Sequence, residues 1–222
     1  MPTSENTRCK KAVVFDLDGT ILDTTKDIGL ALGKTLGTSL PEDQTAKFLG
    51  RGLRNAVISA ADELGIRIDD IDKMTERLID FYRQVPVLYT CPYPGVVELL
   101  RSLNSHNIPV CVYSNKEQDL ADTILKICFP DITFAMVAGM HGKYESKPSS
   151  QAIDAFCSQT GLEKNDILYV GDSEVDYKTA VNSGVDYLIL TCGQRTKENL
   201  LESGVPQEAL IPTIKGLENY FI

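Results

Sequence analysis

Histidine is nearly absent from this chain of 222 residues. Only His106 and His141 occur, so a histidine-rich two-metal site is excluded, and both are expected as surface or loop residues. Basic residues are also outnumbered: 22 Lys and Arg stand against 31 Asp and Glu, a formal net charge of −9. A field of that sign disfavours nucleic acid and anionic membranes as partners, although a local site can still hold a small anion. No apolar run approaches the ~18–20 residues needed to span a bilayer. The polar start MPTSENTRCKK has no apolar signal-peptide core, so the cytoplasm is the expected compartment. Six cysteines (Cys9, Cys91, Cys111, Cys128, Cys157 and Cys192) include no CxxC pair, and none is followed six positions later by arginine. That excludes a tyrosine-phosphatase loop and favours reduced, largely core cysteine over a disulfide framework.

What is present is an ordinary globular composition, 43% hydrophobic and 24% charged, with length for one large domain or a core plus a smaller insert. Near-continuous apolar runs occur at 11–15, 108–114, 134–138, 166–170 and 186–191. Runs without alternation suit strands buried on both faces of a parallel sheet. Helical patterns lie between them, as in VVELLRSLNSH, DLADTILKI and SQAIDAFCSQTG. This alternation predicts an α/β, doubly wound, Rossmann-like core. The rhythm breaks between 22 and 90, where amphipathic segments at 25–37, 41–49, 53–64 and 70–85 predict about four helices, returning through the turn-rich CPYPG at 91–95. The expected organisation is a core of 1–21 and 91–222 with a helical cap of 22–90, placed over the crevice where α/β sheets bind ligands.

The stretch VVFDLDGT places Asp16 and Asp18 two residues apart, hence on one side of a strand, before a turn at Gly19. A strand ending in a polar turn is the bland reading. A calcium loop fails, because Thr20 and Ile21 stand where that loop needs an acid or amide and then a glycine. The chemical reading has one carboxylate attack phosphorus while the other serves as acid and then base, with a cation to offset the repulsion from phosphate. Such a site needs more acids and phosphate donors at other strand ends. Ser114 and Asn115 close the second strand, Lys147 precedes Pro148, and Asp172 and Asp176 lie four apart after the strand at 166–170. Each alone reads as a cap, a turn or a surface lysine. GLALGKT (29–35) has three residues between its glycines where a Walker loop needs four, and no strand precedes it.

Taken in order, DLDGT, S-N, K-P and GDSEVD resemble the four motifs of the haloacid dehalogenase superfamily. GDSEVDYKTAVNSG and the tail TCGQRTKENLLESG are similar to the phosphoglycolate-phosphatase-like subgroup, with Cys192 and Gln194 where that group has Trp and Phe, and Ser183 in place of its second alanine. The resemblance implies a type 1 helical cap and a Mg²⁺-dependent phosphatase acting on a small phosphorylated metabolite through an aspartyl phosphate. It implies Asp16 as nucleophile and metal ligand, and Asp18 as acid/base with its backbone carbonyl on the metal. Ser114, Asn115 and Gly19 would contact phosphate, Lys147 would neutralise charge, and Asp172 with the auxiliary Asp176 would complete the metal site. Gly50 and Gly52 would let Arg51 face an anionic leaving group, against the alternative of an exposed turn arginine. A phosphomutase, a pyrophosphatase and a non-catalytic binding protein are the competing readings. A monomer or homodimer is expected.

Overall fold

The computed structural model describes residues 9–221; most of the polar stretch read against a signal peptide lies outside them. The chain opens with β1 (Ala12–Phe15) and β2 (Leu22–Asp23), followed by the helices α1 (Thr25–Leu36), α2 (Glu42–Phe48), α3 (Leu53–Leu64) and α4 (Ile71–Gln84). It continues through β3 (Cys91–Pro92), α5 (Val96–Ser105), β4 (Val110–Glu117), α6 (Gln118–Cys128), β5 (Met136–Met140) and α7 (Gln151–Thr160). The remaining elements are β6 (Ile167–Gly171), α8 (Glu174–Ser183), β7 (Asp186–Leu190), α9 (Lys197–Glu202) and β8 (Leu210–Ile211).

Six strands form one parallel sheet in the order β5-β4-β1-β6-β7-β8. Side chains of successive strand residues point to opposite faces, and the two parities of β1 enter different cores. Val13 and Phe15 join one cluster with Val110, Val112, Leu168 and Val170. Ala12 and Val14 join another with Cys111, Tyr113, Ile167 and Tyr169. Helices α5 and α6 supply the first layer through Leu99, Leu100, Ile124 and Leu125. The second is supplied by Ile153 and Phe156 of α7 and Ala180 of α8. The sheet is therefore covered on both faces, as its unbroken apolar strands require.

Glycine in the left-handed region closes α1 at Gly37 and α3 at Gly65, where a Cβ would clash. Pro41 is the N-cap of α2, with Glu42 and Asp43 in its first turn. A two-stranded ribbon pairs Leu22 with Pro92 and Asp23 with Cys91, so the chain leaves and returns from the four helices at adjacent points. Asp27 of α1 reinforces this junction. Its carboxylate accepts bonds from the backbone N–H groups of Leu88, Tyr89 and Thr90 and from the Thr90 hydroxyl, at 2.7–3.0 Å.

The structure differs from expectation at several edges. β4 runs on through Ser114, Asn115 and Lys116 to Glu117, with a register irregularity after Tyr113, because Glu117 resumes pairing with β5 at Met140. β2, β3 and β8 are too short, two residues each, to leave a periodic signal. The described cysteines are all free, but only Cys111 is buried and Cys9, Cys91 and Cys192 are exposed, so they are not largely core; His106 and His141 are exposed. Among the described residues no helix is long and apolar enough to cross a membrane.

Candidate active site

Strand order reverses around β1, which is flanked by β4 and β6. Crevices at the carboxyl ends of strands beside such a switch point bind ligands in open α/β sheets. Asp16 follows β1 and Asp172 follows β6, and their carboxylate oxygens, with one from Asp176, all lie within 4.8 Å of one another. All three residues are buried. Glycine is required for this approach. A Cβ on Gly171 would lie 2.3 Å from the Asp176 Cβ, and one on Gly19, at φ +85°, would lie 2.3 Å from Asp172 Oδ2.

Lys147 Nζ stands 2.8 Å from Asp16 Oδ1 and 2.7 Å from Asp176 Oδ1. Asn115 holds it there: its Oδ1 accepts from the Lys147 N–H at 2.8 Å and its Nδ2 donates to the Lys147 carbonyl at 3.3 Å. Asp176 is heavily engaged. Beyond Lys147 it accepts from the Tyr169 hydroxyl at 2.8 Å, from the Ser173 hydroxyl at 2.6 Å and from the backbone N–H groups of Asp172 and Ser173. Ser173 and Asp176 also form a capping box at the start of α8. Asp172 accepts the Gln194 N–H at 2.6 Å and the Thr20 hydroxyl at 3.3 Å.

One monovalent ammonium does not balance three buried carboxyls. Burial, then repulsion from Asp176, pushes the Asp16 carboxyl from 3.8 up to about 7 in spite of Lys147. Burial and repulsion from Asp16 and Asp176 hold Asp172 well above the usual carboxylate range. Burial would raise Asp176 as well, but Lys147 and the hydroxyl donors bring it below its ordinary value. The Lys147 ammonium is opposed by burial, yet its two carboxylate partners raise it above the ordinary lysine value. A close set of hard oxygen donors under mutual repulsion fits a divalent cation of the Mg²⁺ type.

Asp18 is placed differently from Asp16. β1 ends at Phe15, so strand parity does not extend to Asp18, whose carboxylate lies outside the three-aspartate group. It accepts from Thr24 Oγ1 at 2.7 Å and pairs with Lys116 Nζ at 3.1 Å. Thr24 is the N-cap of α1 and makes no side-chain cap bond; its hydroxyl serves Asp18 instead. Asp16, Asp18, Ser114, Asn115 and Lys147 nonetheless line one narrow cavity, which Ile28, Leu49, Gly50, Gly52 and Leu53 close from the helical side.

Arg51 is not brought into this cavity. Its guanidinium points to the buried Glu174, with Nε 2.8 Å and Nη2 2.7 Å from Oε1. Arg195 completes the contact, donating from Nε to Glu174 Oε2 at 3.3 Å and from Nη2 to the Leu49 carbonyl at 2.6 Å. The glycines beside Arg51 thus serve a link between the helical segment and α8. Residue-type reasoning gave no role to Lys116, Tyr82, Glu174 or Arg195. Lys116 had a usable signal, since it lies two residues beyond Ser114 on the same strand and so on the same face. The other three depend on contacts distant in sequence.

Fold and cluster together define a doubly wound α/β protein with a buried acidic centre at its switch point. Comparison with known sequences narrows that class. The chain belongs to the haloacid dehalogenase-like hydrolase family, whose profile matches residues 13–190. It is 32% identical over 182 residues to a phosphoglycolate phosphatase of Aquifex aeolicus, covering 78% of this chain and 81% of that protein. An N-acetylmuramic acid 6-phosphate phosphatase of Pseudomonas aeruginosa is 27% identical over 178 residues, 78% of each chain. A solved structure from Lactobacillus delbrueckii subsp. bulgaricus, named provisionally as a phosphoglycolate phosphatase, superposes with a TM-score of 0.87 at 25% identity, covering 97% of this chain and 99% of that one. The chain is a hydrolase of this phosphatase branch.

Proposed function

We propose that this protein is a Mg²⁺-dependent phosphatase that hydrolyses a small phosphate monoester of the phosphoglycolate type through a phosphorylated Asp16. The observation that carries the reading is the buried Lys147 ammonium 2.8 Å from Asp16 within a tight aspartate cluster, with Asp18 lining the same cavity. The four helices between β2 and β3 act as the cap of residues 22–90, closing the cavity through Leu49, Gly50 and Leu53.

In the first half-reaction an Asp16 oxygen forms a bond to phosphorus, the ester P–O bond breaks, and Asp18 protonates the departing oxygen. In the second, Asp18 takes a proton from water, the water oxygen bonds phosphorus, and the Asp16–phosphorus bond breaks to release inorganic phosphate. Lys147 orients Asp16 and offsets charge on the nucleophile and the phosphoryl oxygens; Ser114 and Asn115 border the phosphate position, Asn115 chiefly by fixing Lys147. Asp16 and Asp172 would hold Mg²⁺, with the Asp18 carbonyl, while Asp176 supports them through its own bonds. Bound there, the ion screens the repulsion between a phosphate dianion and a carboxylate nucleophile. Catalysis is then mainly positioning and charge stabilisation.

The test is Mg²⁺-dependent hydrolysis of p-nitrophenyl phosphate. Asp16→Asn is expected to abolish it while leaving cooperative unfolding intact. Residual turnover within tenfold of the unmodified protein would refute the assignment of the nucleophile.

A further inference from the structure

Two polar groups in the cavity are not accounted for by the phosphoryl-transfer machinery. Gln194 is 9% exposed and lines the cavity, yet among the described residues neither its side-chain oxygen nor its nitrogen has a hydrogen-bond partner. Its backbone is fixed, because its N–H donates to Asp172 at 2.6 Å. Its side chain passes over Gly19, where an added Cβ would lie 2.9 Å from Gln194 Cγ, and reaches toward Gly50 on the helical side. Buried amides are almost always hydrogen-bonded, so one unpaired at both ends and lining a cavity calls for a ligand.

Lys116 is the second. Its side chain is fully buried, and its ammonium pairs with Asp18 Oδ1 at 3.1 Å and donates to the Tyr82 hydroxyl at 3.1 Å. The Tyr82 ring centroid lies 4.4 Å from the same nitrogen. An ammonium has three N–H donors, and the third has no hydrogen-bond partner among the described residues. The other cations nearby are committed: Lys147 to two carboxylates, Arg51 and Arg195 to Glu174.

We infer that Lys116 and Gln194 form the leaving-group subsite, and that it selects the phosphate ester of a small alcohol bearing both a carboxylate and a neighbouring hydrogen-bond donor. The inference rests on the phosphatase reading, which sets Asp18, and with it Lys116, beside the departing oxygen. A carboxylate accepts from the free Lys116 N–H and from Gln194 Nε2. A hydroxyl on the adjacent carbon donates to Gln194 Oε1, which a carboxylate alone leaves unpaired. Sites built on such paired groups discriminate strongly against analogues lacking one of them.

The experiment compares kcat/KM for p-nitrophenyl phosphate, 2-phosphoglycolate, 3-phosphoglycerate and glycerol 3-phosphate in the unmodified protein, Lys116→Met, Gln194→Leu and Gln194→Glu. Lys116→Met is expected to cost the two acids at least about tenfold more than glycerol 3-phosphate. Gln194→Leu is expected to cost 3-phosphoglycerate about tenfold more than 2-phosphoglycolate, chiefly in KM. Gln194→Glu, of the same size, should penalise both acids relative to the aryl ester by charge repulsion. If the unmodified protein hydrolyses the aryl ester but every variant scales all four esters by one common factor, the subsite is overturned and the phosphatase reading stands. If it hydrolyses none of the four with Mg²⁺ present, both fall. Should Lys116→Met fail to fold, the two Gln194 variants decide.

Discussion

Titrating the protein with and without a divalent cation tests the electrostatics of the cluster directly. Asp16 is held at about 7 instead of 3.8 by burial and by Asp176. At about 1.36 kcal/mol per pH unit, ionising it costs the folded chain about 4 kcal/mol relative to the unfolded one. Because the folded value is the higher, this stability is fully present below about pH 4 and is lost as the pH rises through about 7. Asp172, also raised, acts in the same direction. Asp176, held low, has the opposite sign, but its stability is lost only as the pH falls below the ordinary carboxylate value. For a chain of this length 1 kcal/mol moves the midpoint by roughly 2–4 °C. Between pH 5 and pH 8 about 3 kcal/mol of the Asp16 contribution is lost, so the chelated protein should lose roughly 6–12 °C in Tm. Saturating Mg²⁺ should restore most of this at pH 8 and little at pH 5, since a ligand stabilises only the form that binds it. Differential scanning fluorimetry across the two series provides the measurement, with Asp16→Asn expected to flatten the chelated slope. A chelated Tm constant from pH 5 to 8, or a Mg²⁺ effect equally large at both ends, would refute the account of the cluster.

Two further predictions concern the junctions of the helical segment. Asp27 is buried and receives three backbone N–H groups and one hydroxyl, so Asp27→Ala should cost about 3–5 kcal/mol in urea unfolding, with Asp27→Asn recovering part of it; a loss under 1 kcal/mol would contradict that role. Glu174 is gripped from both sides by Arg51 and Arg195. Glu174→Gln should raise KM several-fold and speed hydrogen exchange across residues 46–52, and unchanged exchange there would show that the link does not hold the segment.

The layering and the family of the chain are legible in its residues alone. Unbroken apolar strands such as AVVF can be satisfied only by helices on both faces, and the cores around Val13 and Val14 show that division. The aspartates, Lys147 and the Ser114-Asn115 pair were legible because they sit at strand ends in a recognisable order. Local pattern put Asp16 and Asp18 on one side, and both line one cavity, although the strand stops at Phe15 and the Asp18 carboxylate turns to Thr24 and Lys116. Arg51, which local pattern let face the site, is drawn instead to the buried Glu174. Periodicity reports which face a residue occupies, whereas a charged side chain goes to the partner that best offsets its desolvation. That partner can lie more than a hundred residues away, as Glu174 does from Arg51, and only the folded chain brings the two together.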